Sequence, residues 1–231
     1  MRICIISDLH ANLEALSALP HDYDELWVLG DLVNYGPDPT ATIGFVRSRA
    51  ATVVRGNHDN AVGFGVDCGC SPRFRAMAEA TCHYTTSVLS AGDKQFLRDL
   101  PTRVRRQIDG HIFFLCHATP TDLLYEYRAP DSPLWAQEEE SSAGADVILV
   151  GHTHLPFVHA FGARVVANPG SLGQSKAGDS RARYAVWQDD HFELKAYEYP
   201  VETTVRRILS LPLPETVKRD LVHVLRIGAV P

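Results

Sequence analysis

Five short apolar runs in this chain each end in polar side chains, and this repeated pattern limits the folds that the sequence can adopt. The runs are rich in β-branched residues, as buried strands are; in chain order they are RICIIS, ELWVLG, ATVVRG, HIFFLC and DVILVG. The polar residues that follow them are Asp8, His10, Asp31, Asn57, His58, Asp59, His117, His152 and His154. Because the carboxyl ends of strands in α/β sheets form a ligand-binding edge, we expect these side chains to converge.

The order of strand and helix patterns predicts an α/β fold with two sheets. Helical patterns at 13–19 and 40–49 separate the first strands, as in a parallel sheet. After Gly151 the strand patterns are closely spaced, which indicates antiparallel pairing. We therefore expect a central two-sheet β-sandwich flanked by helices. A chain of 231 residues fits one such domain, spanning 1–231, better than two.

The segment at about 71–100 differs from its surroundings because it contains two helical patterns and no strand pattern. It predicts a helical, cap-like insertion between the stretches that carry the polar residues. A later loop carries Tyr125 and Tyr127, and we expect this loop and the insertion to shape a substrate pocket. The stretch 214–226 predicts a closing helix.

Composition excludes several classes of partner. No apolar stretch reaches the roughly 18 residues that a membrane span needs, so we expect no membrane partner. A formal net charge of −6 argues against binding extended nucleic acid, which needs a basic surface. The five cysteines form no CxxC pair, and the apolar start of the chain is interpreted as a strand, so we expect a reducing, cytoplasmic setting. No motif specifies an oligomeric state.

The polar residues at the strand ends form a mixed nitrogen and oxygen donor set without thiolates. Such a set suits manganese, iron, zinc or nickel better than calcium or magnesium. Eight ligands are too many for one ion, whereas they fit two divalent ions that share a carboxylate. Asp31 is the natural bridge because it is the lone carboxylate at its strand end. We expect manganese first, with iron, zinc or nickel as alternatives.

Six ordered motifs resemble those of the calcineurin-like metallophosphoesterase superfamily, and most closely those of its bacterial and archaeal phosphodiesterase-like branch. The motifs are SDLH (7–10), GDLVNYGPDP (30–39), GNHD (56–59), CHATP (116–120), GHTH (151–154) and NPGSLG (168–173). The resemblance implies the αββα fold of that superfamily, which agrees with the sandwich predicted above. It also implies that NPGSLG is a loop that supports the site.

The resemblance also implies a role for each polar residue. Asp8, His10 and His154 would bind the first metal, and Asn57, His117 and His152 the second, with Asp31 bridging them. His58 would be the catalytic acid, and Asp59 would orient its ring by a hydrogen bond. Arg55 is a candidate for stabilising charge on the phosphoryl oxygens.

The expected function is two-metal hydrolysis of phosphodiesters or small phosphomonoesters by attack of a metal-bridging hydroxide. The substrate would be a small phosphorylated molecule. The alternatives are a dinucleotide polyphosphate or cyclic nucleotide hydrolase, or a catalytically silent scaffold with the same fold. Protein phosphatases of the superfamily carry other residues after their GD and GNH motifs than the GDLVNYG and GNHD of this chain, which argues against that activity.

Overall fold

The computed structural model describes residues 1–138 and 140–229, and its strands form two five-stranded sheets. The strands of the first sheet are β1 (Ile3–Ile6), β2 (Glu25–Val28), β3 (Thr52–Val53), β9 (Ala182–Gln188) and β10 (His191–Tyr197). Their spatial order is β10-β9-β1-β2-β3, with β1, β2 and β3 parallel and β9 antiparallel to both of its neighbours. The first sheet therefore joins the two ends of the chain.

The second sheet is built from the middle of the chain. Its strands are β4 (Arg103–Ile108), β5 (His111–Cys116), β6 (Val147–Leu149), β7 (Phe157–Phe161) and β8 (Arg164–Asn168). Their order is β4-β5-β6-β8-β7, with parallel pairs at β5–β6 and β6–β8 and antiparallel pairs at both edges. The antiparallel pairing predicted after Gly151 is therefore confirmed for β7–β8 and β9–β10, while β8 also pairs in parallel with β6.

The inner faces of the two sheets pack against each other in one apolar cluster. Ile5 of β1 lies opposite Trp27 and Ala185 of its neighbouring strands, and these side chains meet Phe113 and Leu149 of the second sheet. Successive side chains of a strand point to opposite faces, so the alternate residues of β1 pack on the helices outside. Both faces of β1 are buried, which explains its uninterrupted apolar sequence.

Helices cover the outer faces of the sandwich. They are α1 (Leu13–Ser17), α2 (Pro39–Arg49), α3 (Asn57–Phe64), α4 (Arg75–Val88), α5 (Ala91–Asp99), α6 (Val201–Leu209), α7 (Glu215–Ile227) and a short 3-10 helix (Pro133–Gln137). The predicted α/β sandwich flanked by helices is confirmed. Among the residues described, no helix is long and apolar enough to cross a bilayer.

The segment predicted to be helical contains two helices, α4 and α5, as expected. Both contact other helices: α4 packs on α3 and α7, and α5 packs on α3. The capping box of Ser90 and Asp93 starts α5, which explains the break between the two helices. These contacts fix the insertion beside α3, the helix that begins at Asn57.

Four of the described elements lie outside the sequence predictions: α3, the 3-10 helix, strand β4 and helix α6. Strand β4 has the sequence RVRRQI and forms an edge of the second sheet, where alternate side chains stay exposed. Charged residues are common on edge strands. Because of its three arginines, β4 lacks the apolar run by which the other strands were predicted. Helix α6 is amphipathic, and it buries Val205 and Ile208 against the cluster that also contains α7.

Candidate metal centre

The predicted ligands lie together at the carboxyl edge of both sheets, and all of them are buried. Exposure ranges from 0% to 4% across the nine residues, Asp8, His10, Asp31, Asn57, His58, Asp59, His117, His152 and His154. Burying several carboxylates and imidazoles is unfavourable unless they are paired or bind a cation. The convergence expected from the strand ends is therefore observed.

Five of these residues have a left-handed backbone conformation, with φ between 45° and 65°. They are Asp8, His10, Asp31, His152 and His154. Positive φ is uncommon outside glycine, and such strain concentrates at functional sites. The sharp turn after each strand directs these side chains across the edge of the sheet.

The first group of donors contains Asp8, His10 and His154. The Nε2 atoms of the two histidines are 3.1 Å apart, and that of His154 is 3.3 Å from Asp8 Oδ1. Each Nδ1 is held by a backbone carbonyl, that of Val33 for His10 (3.1 Å) and that of Gln174 for His154 (2.6 Å). Nδ1 therefore carries the proton, and both Nε2 lone pairs face the same point, as in a metal site.

The second group contains Asp8, Asp31 and His117, with Asn57 beside them. His117 Nε2 lies 3.3 Å from Asp31 Oδ2 and 3.0 Å from Asn57 Oδ1. Its Nδ1 is held by the carbonyl of Leu29 at 2.7 Å. The Asn57 amide donates to the Cys68 carbonyl at 2.7 Å, so its oxygen faces the group. The oxygens of Asp31 and Asn57 thus converge on His117 Nε2, at a point that favours a positive charge.

Asp31 lies between the two groups. Its Oδ2 is 3.8 Å from His10 Nε2 and 3.3 Å from His117 Nε2. Burial opposes its ionisation, but the charge of His117 and the hydrogen bond from its ring hold the pKa of Asp31 well below its ordinary value. An ionised carboxylate in this position can bridge two cations.

The chemistry of the donor atoms fits divalent transition metals. Asp8 Oδ1 is buried and lacks a hydrogen-bond partner in the described part of the chain. Burial alone would lower the pKa of His117, yet the Asp31 carboxylate raises it to about 9. A positive charge is therefore favoured at this point, and neutral imidazoles with carboxylates suit manganese, iron, zinc or nickel.

His152 lies beside the second group, not within either carboxylate cluster. Its ring centroid is 5.0 Å from that of His117, and its backbone N–H donates to Asp8 Oδ2 at 3.1 Å. Its Nε2 is 3.3 Å from the Tyr125 carbonyl, and its ring packs at 3.9 Å on that of Tyr127. With Nε2 donating to Tyr125, Nδ1 is the ring nitrogen left to bind a metal.

His58 is adjacent to the two donor groups and is held by a residue that the sequence did not indicate. Its Nδ1 accepts a hydrogen bond from Asn34 Nδ2 at 3.0 Å. Its backbone N–H donates to Asp31 Oδ1 at 2.9 Å, and its ring packs against those of His10 and Tyr35. Burial is the main cause that lowers the pKa of His58 to about 4, so the ring is neutral at pH 7.

Comparison with known proteins identifies the family. Residues 1–190 match the model of the calcineurin-like phosphoesterase superfamily domain. The chain belongs to this superfamily. This chain is 29% identical to an uncharacterized protein of Methanocaldococcus jannaschii over 236 residues. The match covers 92% of this chain and 94% of that protein.

A solved relative supports the same assignment. The crystal structure of a metallophosphoesterase from Sphaerobacter thermophilus has a TM-score of 0.81 and 29% identity, and the match covers 97% of this chain and 98% of that one. A shorter similarity links this calcineurin-like protein to the symmetrical bis(5'-nucleosyl)-tetraphosphatase of Photobacterium profundum. It is 46% identical over 56 residues, which are 23% of this chain and 20% of that one.

Asp59 does not orient His58, contrary to the interpretation of the GNHD motif. In the described chain its carboxylate accepts hydrogen bonds from three backbone N–H groups, those of Asp31, Leu32 and Gly56, at 2.8 to 3.0 Å. Asp59 therefore fixes the loop that carries Asp31. The motif does not define the direction of this side chain, and its position in the first turn of α3 turns it away from the His58 ring.

Arg55 also differs from expectation. Its guanidinium donates to the Arg98 carbonyl at 2.7 Å and lies 4.9 Å from the centre of the Phe64 ring. These contacts direct it toward the helices of the insertion. Arg55 directly precedes GNHD in the sequence, but its guanidinium points away from the metal centre.

The NPGSLG loop supports the site, as predicted for a calcineurin-like phosphoesterase. Asn168 Nδ2 donates to the Gly151 carbonyl at 2.7 Å, and Ser171 Oγ donates to the Asp8 carbonyl at 2.8 Å. Gly151 itself lies so close to β1 that an added Cβ would be 1.9 Å from Ser7 Oγ. The loop and this glycine thus hold the two halves of the centre together.

Proposed function

We propose that this protein is a hydrolase that uses two divalent transition-metal ions, manganese first among them, to cleave phosphodiesters or small phosphomonoesters. The observation that carries the proposal is the pair of buried donor groups that share Asp8, with Asp31 between them. We assign Asp8, His10 and His154 to the first ion and Asn57, His117 and His152 to the second, with Asp31 bridging. Metal ions in such a pair acidify water and neutralise phosphoryl charge.

The residues around the ions perform separate tasks. A neutral His58 whose Nδ1 accepts from Asn34 carries its proton on Nε2 and can donate a hydrogen bond from there to the oxygen that leaves phosphorus, which stabilises the charge that develops on it. Asp59 holds the backbone of Asp31 and thereby fixes the bridging carboxylate. The backbone carbonyls at His10, His117 and His154 keep each ring in the tautomer that a metal requires.

Dinucleotide polyphosphates are a second candidate class of substrate. The local similarity to a symmetrical bis(5'-nucleosyl)-tetraphosphatase favours them. We also propose a cytoplasmic location, which is supported by five cysteines that are all free thiols.

The test is a metal analysis of the purified protein combined with hydrolysis of a chromogenic phosphodiester, a chromogenic monoester and a dinucleotide polyphosphate. Asp31→Asn and His58→Ala should abolish or strongly reduce turnover, whereas His191→Ala, at an exposed position on β10, should retain it. Inactivity of the wild type with every substrate and every metal would instead favour a scaffold that keeps the fold without the reaction.

A further inference from the structure

Lys176 lies in the loop that follows NPGSLG, close enough to Asp8 and Asp31 for their carboxylates to act on its ammonium group. Its Nζ is 4.2 Å from the centre of the Phe74 ring, which belongs to the helical insertion. Phe74 packs on the apolar cluster that contains Tyr35 and Cys68. Tyr35 in turn contacts the rings of His10 and His58, so the cluster forms one wall of the centre.

The loop that carries Lys176 is fixed to the metal centre by hydrogen bonds. Gln174, two residues earlier, accepts from His154 Nδ1 at 2.6 Å, and its own N–H donates to Ser171 Oγ at 2.8 Å. Lys176 is partly buried, and in residues 1–138 and 140–229 no carboxylate forms a salt bridge with it. An ammonium held in this way is free to bind an anion.

The charge of Lys176 acts on the metal centre. Burial is the main cause that lowers the pKa of His58, His152 and His154, and the charge of Lys176 adds to the shift of each. Burial lowers the pKa of Lys176 itself to about 8, while the carboxylate of Asp8 opposes that shift. The side chain therefore remains cationic at pH 7, close enough to the carboxylates of Asp8 and Asp31 to interact with them. Arg55, the cation expected from the sequence, is engaged elsewhere.

We propose that Lys176 is a specificity-determining residue whose ammonium binds a non-bridging oxygen of the substrate's phosphoryl group and favours dianionic phosphates over monoanionic ones. This inference rests on the proposed function. A phosphomonoester or a terminal phosphate carries more charge than a diester, and it presents one more charged oxygen. In a partly buried site that extra charge interacts strongly with an unpaired ammonium.

Binding of phosphate ligands tests the proposal separately from turnover. Isothermal titration of the manganese-loaded protein would use inorganic phosphate as the dianionic probe and dimethyl phosphate as the monoanionic one. Lys176→Gln should weaken phosphate binding about tenfold or more and leave dimethyl phosphate within about threefold. Lys176→Arg keeps the charge and should retain phosphate binding within about threefold.

Lys195→Gln is the matched control, because this lysine is paired with Glu193 on β10 at the outer edge of the first sheet. It should change neither affinity. In turnover, Lys176→Gln should raise the KM for p-nitrophenyl phosphate more than the KM for bis(p-nitrophenyl) phosphate. Metal content and thermal unfolding are measured for every variant to establish that the centre is intact.

Unchanged phosphate affinity in Lys176→Gln would overturn the proposal. So would an equal loss of affinity for phosphate and dimethyl phosphate together with a lower unfolding temperature, because a purely structural role of Lys176 would give that result. Failure of the proposed function has a different signature. In that case the wild type hydrolyses no ester with any metal, whereas the effect of Lys176 on phosphate binding is still measured.

Discussion

Asn34 donates a hydrogen bond from Nδ2 to Nδ1 of His58 across 3.0 Å, and both side chains are buried at the metal centre. This contact selects one tautomer of the imidazole, with the proton on Nε2. Asn34 reaches it from a left-handed backbone conformation, with a φ of 68°. The asparagine of GDLVNYG therefore performs the orienting task that the aspartate of GNHD does not.

We expect Asn34→Ala to lower kcat by about tenfold to a hundredfold for an alkyl phosphate ester, because the His58 proton donor loses its orientation. With p-nitrophenolate as the leaving group the loss should be much smaller, since that group departs without a proton. Steady-state kinetics on the two esters measures the difference. An equal loss on both would mean that Asn34 acts on the metal centre as a whole.

Asp59→Asn should lower the free energy of unfolding by about 3 kcal/mol. An amide has one acceptor oxygen, so at least one of the buried N–H groups of Asp31, Leu32 and Gly56 would face an NH₂ group. Urea unfolding of the metal-free protein measures the change. The control is Asp99→Asn, an exposed residue bonded to Gln95, for which a change within about 0.5 kcal/mol is expected. Similar stability of the two variants would contradict the proposed role of Asp59.

The convergence of the polar side chains was predictable from the sequence because apolar strands and polar termini are both local patterns. Each ligand motif follows a run that can only be a buried strand, and strand ends meet at one edge of the sheet. That reasoning needs no knowledge of side-chain direction. It correctly brought Asp8, Asp31 and His117 together although they are far apart in the chain.

The contacts around the ligands could not be predicted in the same way. Asn34, Asp59 and Arg55 lie in turns or at the start of a helix, where backbone dihedrals decide which way a side chain points. Lys176 lies in a loop that has no periodic pattern, and its neighbour Phe74 is about a hundred residues earlier. Such pairings depend on the packing of the insertion against the loop, which only the folded chain defines.

Gly151→Ala should destabilise the protein by about 1 to 3 kcal/mol and reduce its metal content. The added Cβ would lie 1.9 Å from Ser7 Oγ and 2.9 Å from Asp8 Oδ2, so β1 and its ligand must shift. Gly44→Ala is the matched control, because nothing lies within 4 Å of that Cβ in the middle of α2. It should stabilise the protein by about 0.5 to 1 kcal/mol. Thermal unfolding and metal analysis measure the stability and the metal content of both variants. Similar effects of the two substitutions would contradict the close contact of Gly151 with Ser7 and Asp8.

Metal affinity should rise as the pH increases from about 6.5 to 9, because a proton competes with the metal for His117. The raised pKa of about 9 makes this ring cationic in the metal-free fold, whereas an unfolded histidine titrates near 6.5. Its stabilising contribution to the metal-free protein is therefore complete below about pH 6.5 and is lost as the pH rises through about 9.

Metal binding releases that proton, so the apparent affinity should increase by up to about tenfold per pH unit within this window. Manganese titrations at pH 6.5, 7.5 and 8.5, in buffers of different ionisation enthalpy, measure both the affinity and the proton release. His117→Gln should bind manganese more weakly and with little pH dependence, while His111→Gln, whose partner is the exposed Asp190, should behave as the wild type. Burial lowers the pKa of the neighbouring His152 to about 3, so that ring is already neutral at pH 6.5, and burial lowers the pKa of His154 as well. A pH dependence that survives in His117→Gln would therefore assign the competing proton to another group and contradict the prediction.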